Sequence, residues 1–282
     1  MTTYRQQLID RVGVPVTQAA VTTEFGRTSY LTAGVGAPVV CIHGAGAGAV
    51  TWYPSIADIA QNFRVIVPDV IGYGESDKPH APYDRPYFSA WLRAFLDALG
   101  IDKACVVGLS QGGAIALQFA LENPHRIEKL VLVDAGALGA RPSFWPMISM
   151  IWMNVFPSRL ATRFNSRYLL QDAANRDPNH GLYSVEVLNK PGGRNAFAQG
   201  RGAAVSAMAT EDLAKIESNT LIIWGEQDRL FPIEQVRGAA AAIPNATFRT
   251  IKQAGHLPLM DKTDVFNELL VSFLMTSETA DA

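Results

Sequence analysis

The sequence is poor in several things that would have settled its class at once. There are only two cysteines, Cys41 and Cys105, among 282 residues. Both fall inside short apolar runs, where a free thiol behaves as a small hydrophobic side chain. Neither has spaced histidines or further cysteines around it, so no structural disulfide and no metal site are expected. Charge of either sign is nearly balanced, with 24 lysines and arginines against 26 aspartates and glutamates. A formal net charge of −2 gives no electrostatic footprint for nucleic acid or an anionic membrane. No uninterrupted apolar run is long enough to span a bilayer, so membrane insertion is not expected. Residues 1–16 carry Arg5, Asp10 and Arg11 among polar neighbours and lack the apolar core of a secretory signal, which points to a cytoplasmic protein. What the chain has is hydrophobic material, 48% of its residues, enough for one large core or about two smaller ones.

That material is distributed in a regular alternation. Short apolar runs at 38–42, 64–69, 104–107, 129–133 and 220–224 read as strands, and a further strand is expected near 247–251. Between them lie helical patterns, the strongest carrying Tyr87, Phe88, Trp91, Leu92, Phe95, Leu96 and Leu99 at helical spacing. Two β-rich segments at 19–25 and 29–33, separated by Gly26, suggest an antiparallel pair at a sheet edge. A last helix carries Val265, Phe266, Leu269, Leu270, Phe273 and Leu274, and the stretch after Met275 is expected to fray. The expected fold class is therefore α/β, a mostly parallel central sheet with helices on both faces. The alternation lapses between 138 and 212, where aromatic and methionine-rich stretches mix with polar turns. This segment is expected to be an inserted helical cap on a core formed by 1–137 and 213–282.

The stretch Gly108-Leu109-Ser110-Gln111-Gly112 joins an apolar strand to an apolar helix. A serine at the tip of so sharp a turn is pushed out above the sheet, and the flanking glycines remove collisions that side chains would cause. The following helix aims its free amides and positive dipole end at the same spot. Ser110 is the candidate nucleophile. A serine hydroxyl needs a base, and the base needs an acid to orient it. His256, in the loop after the last strand, is the expected base. His43 shapes the glycine loop at 43–48, while His80, His125 and His180 are expected to be solvated surface. For the acid, Asp228 after the penultimate sheet strand is preferred to Asp134 at the end of the strand before it. Asp69 is expected to be a structural cap.

Together these residues resemble the serine hydrolases of the α/β-hydrolase fold, carboxylesterases among them. The resemblance implies Ser110, Asp228 and His256 as catalytic residues, the backbone amides of Ala45 and Gln111 as an oxyanion hole, and no cofactor. The glycine loop with Trp52 is also similar to that of meta-cleavage-product hydrolases, which cut carbon–carbon bonds. Those enzymes carry Asn where this chain has Leu109, and Trp where it has Leu257. The expected partner is a small apolar ester or related carbonyl compound, met in the cap by Trp145, Met150 and Trp152. Arg194 or Arg201 could meet a substrate carboxylate. Ester hydrolysis is placed first and carbon–carbon hydrolysis second, with a non-catalytic ligand-binding role as the third reading.

Overall fold

A computed structural model of the chain describes residues 2–276, except for the side chains of residues 201, 203 and 204. The stretch expected to fray lies, beyond its first residue, outside the described residues. Eight strands form one sheet: β1 Thr17–Thr23, β2 Gly26–Ala33, β3 Pro38–Ile42, β4 Arg64–Pro68, β5 Ala104–Leu109, β6 Ile127–Val133, β7 Thr220–Gly225 and β8 Ala246–Ile251. Their order across the sheet is β1-β2-β4-β3-β5-β6-β7-β8. The first two pairings in that order are antiparallel, and all the others are parallel.

The apolar runs become central strands because both of their faces are covered. Val40, Ile42, Val106, Leu130 and Leu132 point into one core, while Val39, Cys41, Val107, Val131 and Val133 point into the other. On the first side pack α3 (Arg85–Ala98) and α4 (Gln111–Glu122). The helix α3 presents Phe88, Trp91, Leu92, Phe95 and Leu96, all buried, and Asp84 caps its start by accepting from the Tyr87 amide at 2.9 Å. On the second side pack α1 (Tyr4–Ile9), α2 (Tyr53–Ala60) and α12 (Thr263–Met275). The edge strand β1 alternates between exposed and half-buried positions, as an edge must. Cys41 and Cys105 are free and buried, and burial pushes the Cys105 thiol up to about 11. They are inert core residues.

Between β6 and β7 the chain runs through α5 (Phe144–Val155), α6 (Arg159–Leu169), α7 (Pro178–Leu188), α8 (Asn195–Val205) and α9 (Thr210–Leu213). The short helix α10 (Arg237–Ala240) lies between β7 and β8, and α11 (Pro258–Asp261) lies between β8 and α12. Among the described residues no helix is long and apolar enough to cross a membrane. The inserted helices α5–α7 approach the carboxyl ends of the parallel strands, where ligands of such sheets bind.

Candidate active site

Strand β5 ends at Leu109 and α4 begins at Gln111, so one residue makes the whole turn. That residue, Ser110, has φ 54° and ψ −117°, a conformation that costs an L-residue about 1–3 kcal/mol. The surroundings impose it: the Ser110 amide donates to Val133 O at 2.9 Å, and its carbonyl accepts from the Gly113 amide at 3.0 Å and the Gly136 amide at 2.8 Å. A Cβ at Gly108 would lie 2.4 Å from Gly112 O, and one at Gly112 would lie 2.3 Å from Ile42 O. The spacing of two glycines about the serine is therefore a steric requirement.

His256 stands in the loop after β8, its ring edge-to-face with Phe231 at 5.3 Å. Its Nε2 is 2.9 Å from Ser110 Oγ, and its Nδ1 is 2.7 Å from Asp228 Oδ2. With Nδ1–H donating to the carboxylate, Nε2 is left to accept from the serine hydroxyl. Asp228 is buried, and its other oxygen accepts from the amides of Leu230 at 2.7 Å and Phe231 at 3.0 Å.

Asp134 lies beside this chain of hydrogen bonds without joining the histidine. Its Oδ1 accepts from the Gly225 amide at 3.0 Å, while its buried Oδ2 has no donor to accept from. Burial, and then the charge of Asp228, push its carboxyl well above the usual carboxylate range, and in the protonated form it donates to Asp228. One atom each from Asp134, Asp228 and His256 lie within 4.8 Å of one another, close enough to surround a cation. The histidine and Asp228 are, however, already engaged with each other, and Asp228 with two amides as well.

The glycine loop runs alongside. A Cβ on Gly44 would lie 3.1 Å from Ser110 Cβ, so the loop backbone touches the serine. Among the described residues, no acceptor takes the amide of Ala45, next to Gly44 in that loop, or of Gln111, which follows Ser110. His43 is buried and donates from Nδ1 to Gly44 O at 2.7 Å, while its Nε2 accepts from the Val70 amide at 2.9 Å. It shapes the loop, as expected.

Ser110 and His256 open onto a cavity of about 610 Å³ whose outer wall is α5–α7. Met150 lines it, joined by Met153 and Asn154 on the same face of α5. Trp145 and Trp152 do not line it. Seven residues apart, they share a stripe turned roughly a third of a turn from Met150 and Met153. Trp145 is 60% exposed, and Trp152 packs on Phe164 of α6 with ring centroids 5.3 Å apart. Of the expected lining Trp145, Met150 and Trp152, only Met150 faces the cavity, and the wall is one of thioethers and polar groups.

The expectation for His180 is corrected too. Asp177 caps α7 by accepting from the Asn179 amide at 2.9 Å, and Pro178 takes the first helical position. This carries His180 into the cavity wall, where Nε2 sits 3.2 Å from Thr51 Oγ1. Burial lowers its pKa to about 4, so it is neutral. The Asp-Pro pair was the signal that could have revealed this helix. His80 and His125 are exposed, as expected.

Four arginines, Arg159, Arg163, Arg167 and Arg176, also line the cavity, and no carboxylate among the described residues pairs with any of them. Arg194 is not among them, since it donates to Leu188 O, Val155 O and Asn189 Oδ1 between helices. The side chain of Arg201 lies outside the described residues. A further residue that sequence reasoning passed over is Asp261, which accepts from the amides of Gly255 at 2.8 Å, Gln171 at 2.8 Å and Asp172 at 3.1 Å. It thereby ties the His256 loop to the inserted helices.

A parallel sheet carrying a strained serine at one strand end, with a histidine and an aspartate from later strand ends, defines the class of the α/β hydrolases. Residues 37–263 match the alpha/beta hydrolase fold family, and the chain belongs to it. It is 33% identical over 255 residues to a 2-hydroxy-6-oxo-6-phenylhexa-2,4-dienoate hydrolase of Burkholderia cepacia, covering 86% of this chain and 89% of that protein. A meta-cleavage product hydrolase from Pseudomonas fluorescens IP01 superimposes with a TM-score of 0.81 at 28% identity, over 91% of this chain and 97% of that one. A carboxylesterase from Bacillus subtilis superimposes with a TM-score of 0.88 at 21% identity, over 96% of each chain, a likeness of fold alone.

Proposed function

We propose that the protein is a serine hydrolase that cleaves carboxylic esters of small apolar substrates through an acyl-enzyme intermediate. The observation that carries this reading is the hydrogen-bonded series Ser110 Oγ, His256, Asp228, opening onto the cavity. In the proposed cycle His256 takes the serine proton as Oγ attacks the ester carbonyl. The amides of Ala45 and Gln111 receive the oxyanion, and the imidazolium, steadied by Asp228, returns the proton to the leaving alcohol. Water then repeats the sequence on the acyl enzyme. The helices between β6 and β7 serve as a cap that shields these steps.

Leu109, Leu230 and Leu257 flank the three residues, and Met150, Met153 and Met260 extend the apolar lining. Each acyl methylene buried there gains about 0.8 kcal/mol, roughly a fourfold rise in kcat/KM. Activity on a series of chromogenic esters should climb from acetate until the cavity is full. A flat profile would contradict the pocket. Trp152→Ala should leave that profile unchanged and lower stability by about 2 kcal/mol, since the ring holds α5 to α6 without meeting substrate. A changed acyl preference with an unchanged melting temperature would reverse that assignment.

A second reading is favoured by a separate observation, the unpaired arginines of the cavity. Arg176 is half-buried, and its Nε is shielded from solvent without an acceptor. Such a lining suits a substrate with a carboxylate, as the dienoates named for the relatives have, and the same nucleophile and oxyanion donors would then serve carbon–carbon cleavage. Under this reading Arg176→Gln raises KM for a dienoate ring-fission product by about tenfold and leaves neutral esters alone. A dienoate KM in the variant unchanged from wild type would remove the arginine from substrate binding.

A further inference from the structure

The polar start of the chain is not a loose end. Thr3 caps α1 with its hydroxyl, and Arg5, Leu8 and Ile9 share the inward face of that helix. Arg5 is 6% exposed. Its Nη1 lies 2.9 Å from Asp69 Oδ2, an ion pair without the alignment of a good hydrogen bond, and donates to Tyr183 Oη at 3.1 Å. Burial works against the guanidinium's charge, and Asp69, Tyr183 and Glu75 outweigh it, so the group stays protonated.

Asp69, wholly buried just beyond β4, is where three parts of the molecule meet. Its Oδ1 accepts from the Ala49 amide at 2.7 Å and from Tyr183 Oη at 3.5 Å. Ala49 closes the glycine loop at its far end, and His43 ties the near end to Val70, the residue after Asp69. The loop is packed directly on this pair: a Cβ on Gly48 would lie 2.4 Å from Tyr183 Oη and 2.7 Å from Asp69 Oδ1. Tyr183 belongs to α7 of the insert.

We infer that Arg5 is a positioning residue for the glycine loop, holding the Asp69 carboxylate in place so that the loop amides stay fixed beside Ser110 and coupled to α7 through Tyr183. The inference rests on the reading of Ala45 as an oxyanion donor. A carboxylate buried without its counter-charge moves or turns to another donor. Either change loosens Ala49, four residues from Ala45. A displacement of about 1 Å at a stabilising donor is enough to slow a reaction up to a hundredfold.

The rate at which a serine-directed phosphonate labels the protein reads the loop geometry independently of the natural substrate. It should be measured together with kcat and KM for a chromogenic ester, per labelled site, well below the melting temperature. Arg5→Met is expected to slow labelling and kcat by about tenfold or more with KM changed less than about twofold, and Arg5→Lys to recover most of the loss. Leu8→Ala, on the same helix but outside the polar contacts, should lower the melting temperature and label at the wild-type rate. Labelling of Arg5→Met at the wild-type rate, or equal slowing in Leu8→Ala, would overturn the inference. Should Arg5→Met fail to fold, Tyr183→Phe carries the test: about two- to fivefold slower labelling supports the coupling, and an unchanged rate defeats it. An unlabelled wild type would defeat the reading of Ser110 itself, and the inference with it.

Discussion

Ser110→Ala is expected to lower ester turnover by at least about four orders of magnitude and to abolish phosphonate labelling, with the melting curve nearly unchanged. In the proposed cycle the hydroxyl oxygen becomes acylated, and among the described residues its side-chain hydrogen bond is to His256 alone. Little of the fold depends on it, because the turn is held by backbone bonds from Val133, Gly113 and Gly136. Alanine inherits the positive φ of 54° and gains no relief from it. Ser110→Gly should be equally inactive yet more stable than Ser110→Ala by about 1 kcal/mol, since glycine adopts that conformation freely. A Ser110→Ala variant that still turned over esters within a hundredfold of wild type would place the nucleophile elsewhere.

Asp228→Asn is expected to lower kcat by about ten-thousandfold, while Asp134→Asn costs less than about tenfold. The difference follows from where each carboxylate points. Asp228 Oδ2 faces His256 Nδ1 at 2.7 Å, and an amide there could present its NH₂ to the ring, favouring the wrong tautomer and leaving the imidazolium without a charge partner. Burial, and then the charge of Asp228, push the Asp134 carboxyl well above the usual range, and an amide copies its protonated form: the oxygen accepts from Gly225 and the nitrogen donates to Asp228. The same contrast sets a pH dependence of stability. Asp134 has a folded pKa above its unfolded value, so its contribution is full below about pH 4 and is lost as pH rises through the folded pKa. Asp134→Asn, neutral throughout, should therefore gain stability relative to wild type as pH rises above about 4. Melting temperatures between pH 4 and 8 would check this, and a difference shrinking toward neutral pH would show Asp134 charged in the native state.

Much of this arrangement was legible in the chain because it is written in local pattern. Doubly buried strands must be continuously apolar, so β3, β5, β6 and β7 stand out. The glycines at 108 and 112 are forced by contacts of under 3 Å with backbone atoms. What could not be read depends on which way a helix face turns once packed. The aromatic residues of α5 looked like a pocket wall, yet Met150, Met153 and Asn154 face inward, with Phe144 and Trp145 63% and 60% exposed. His180 reads as solvated surface from its polar neighbours, whereas Pro178 at the first helical position starts the helix that turns it into the cavity wall. Asp134 and Asp228 both end strands, and only the side-chain directions distinguish them. Arg5 lay in a segment without periodicity, and its partner Asp69 is 64 residues away.

The central claim, that Ser110 carries the acyl group during turnover, is tested most directly by quenching the reaction with a chromogenic ester in its first turnovers and weighing the protein and its peptides. The account predicts a burst of about one leaving group per chain and a matching acyl mass on the peptide that contains Ser110. Steady turnover of the ester with no burst and no adduct, or with the adduct on another residue, would contradict it.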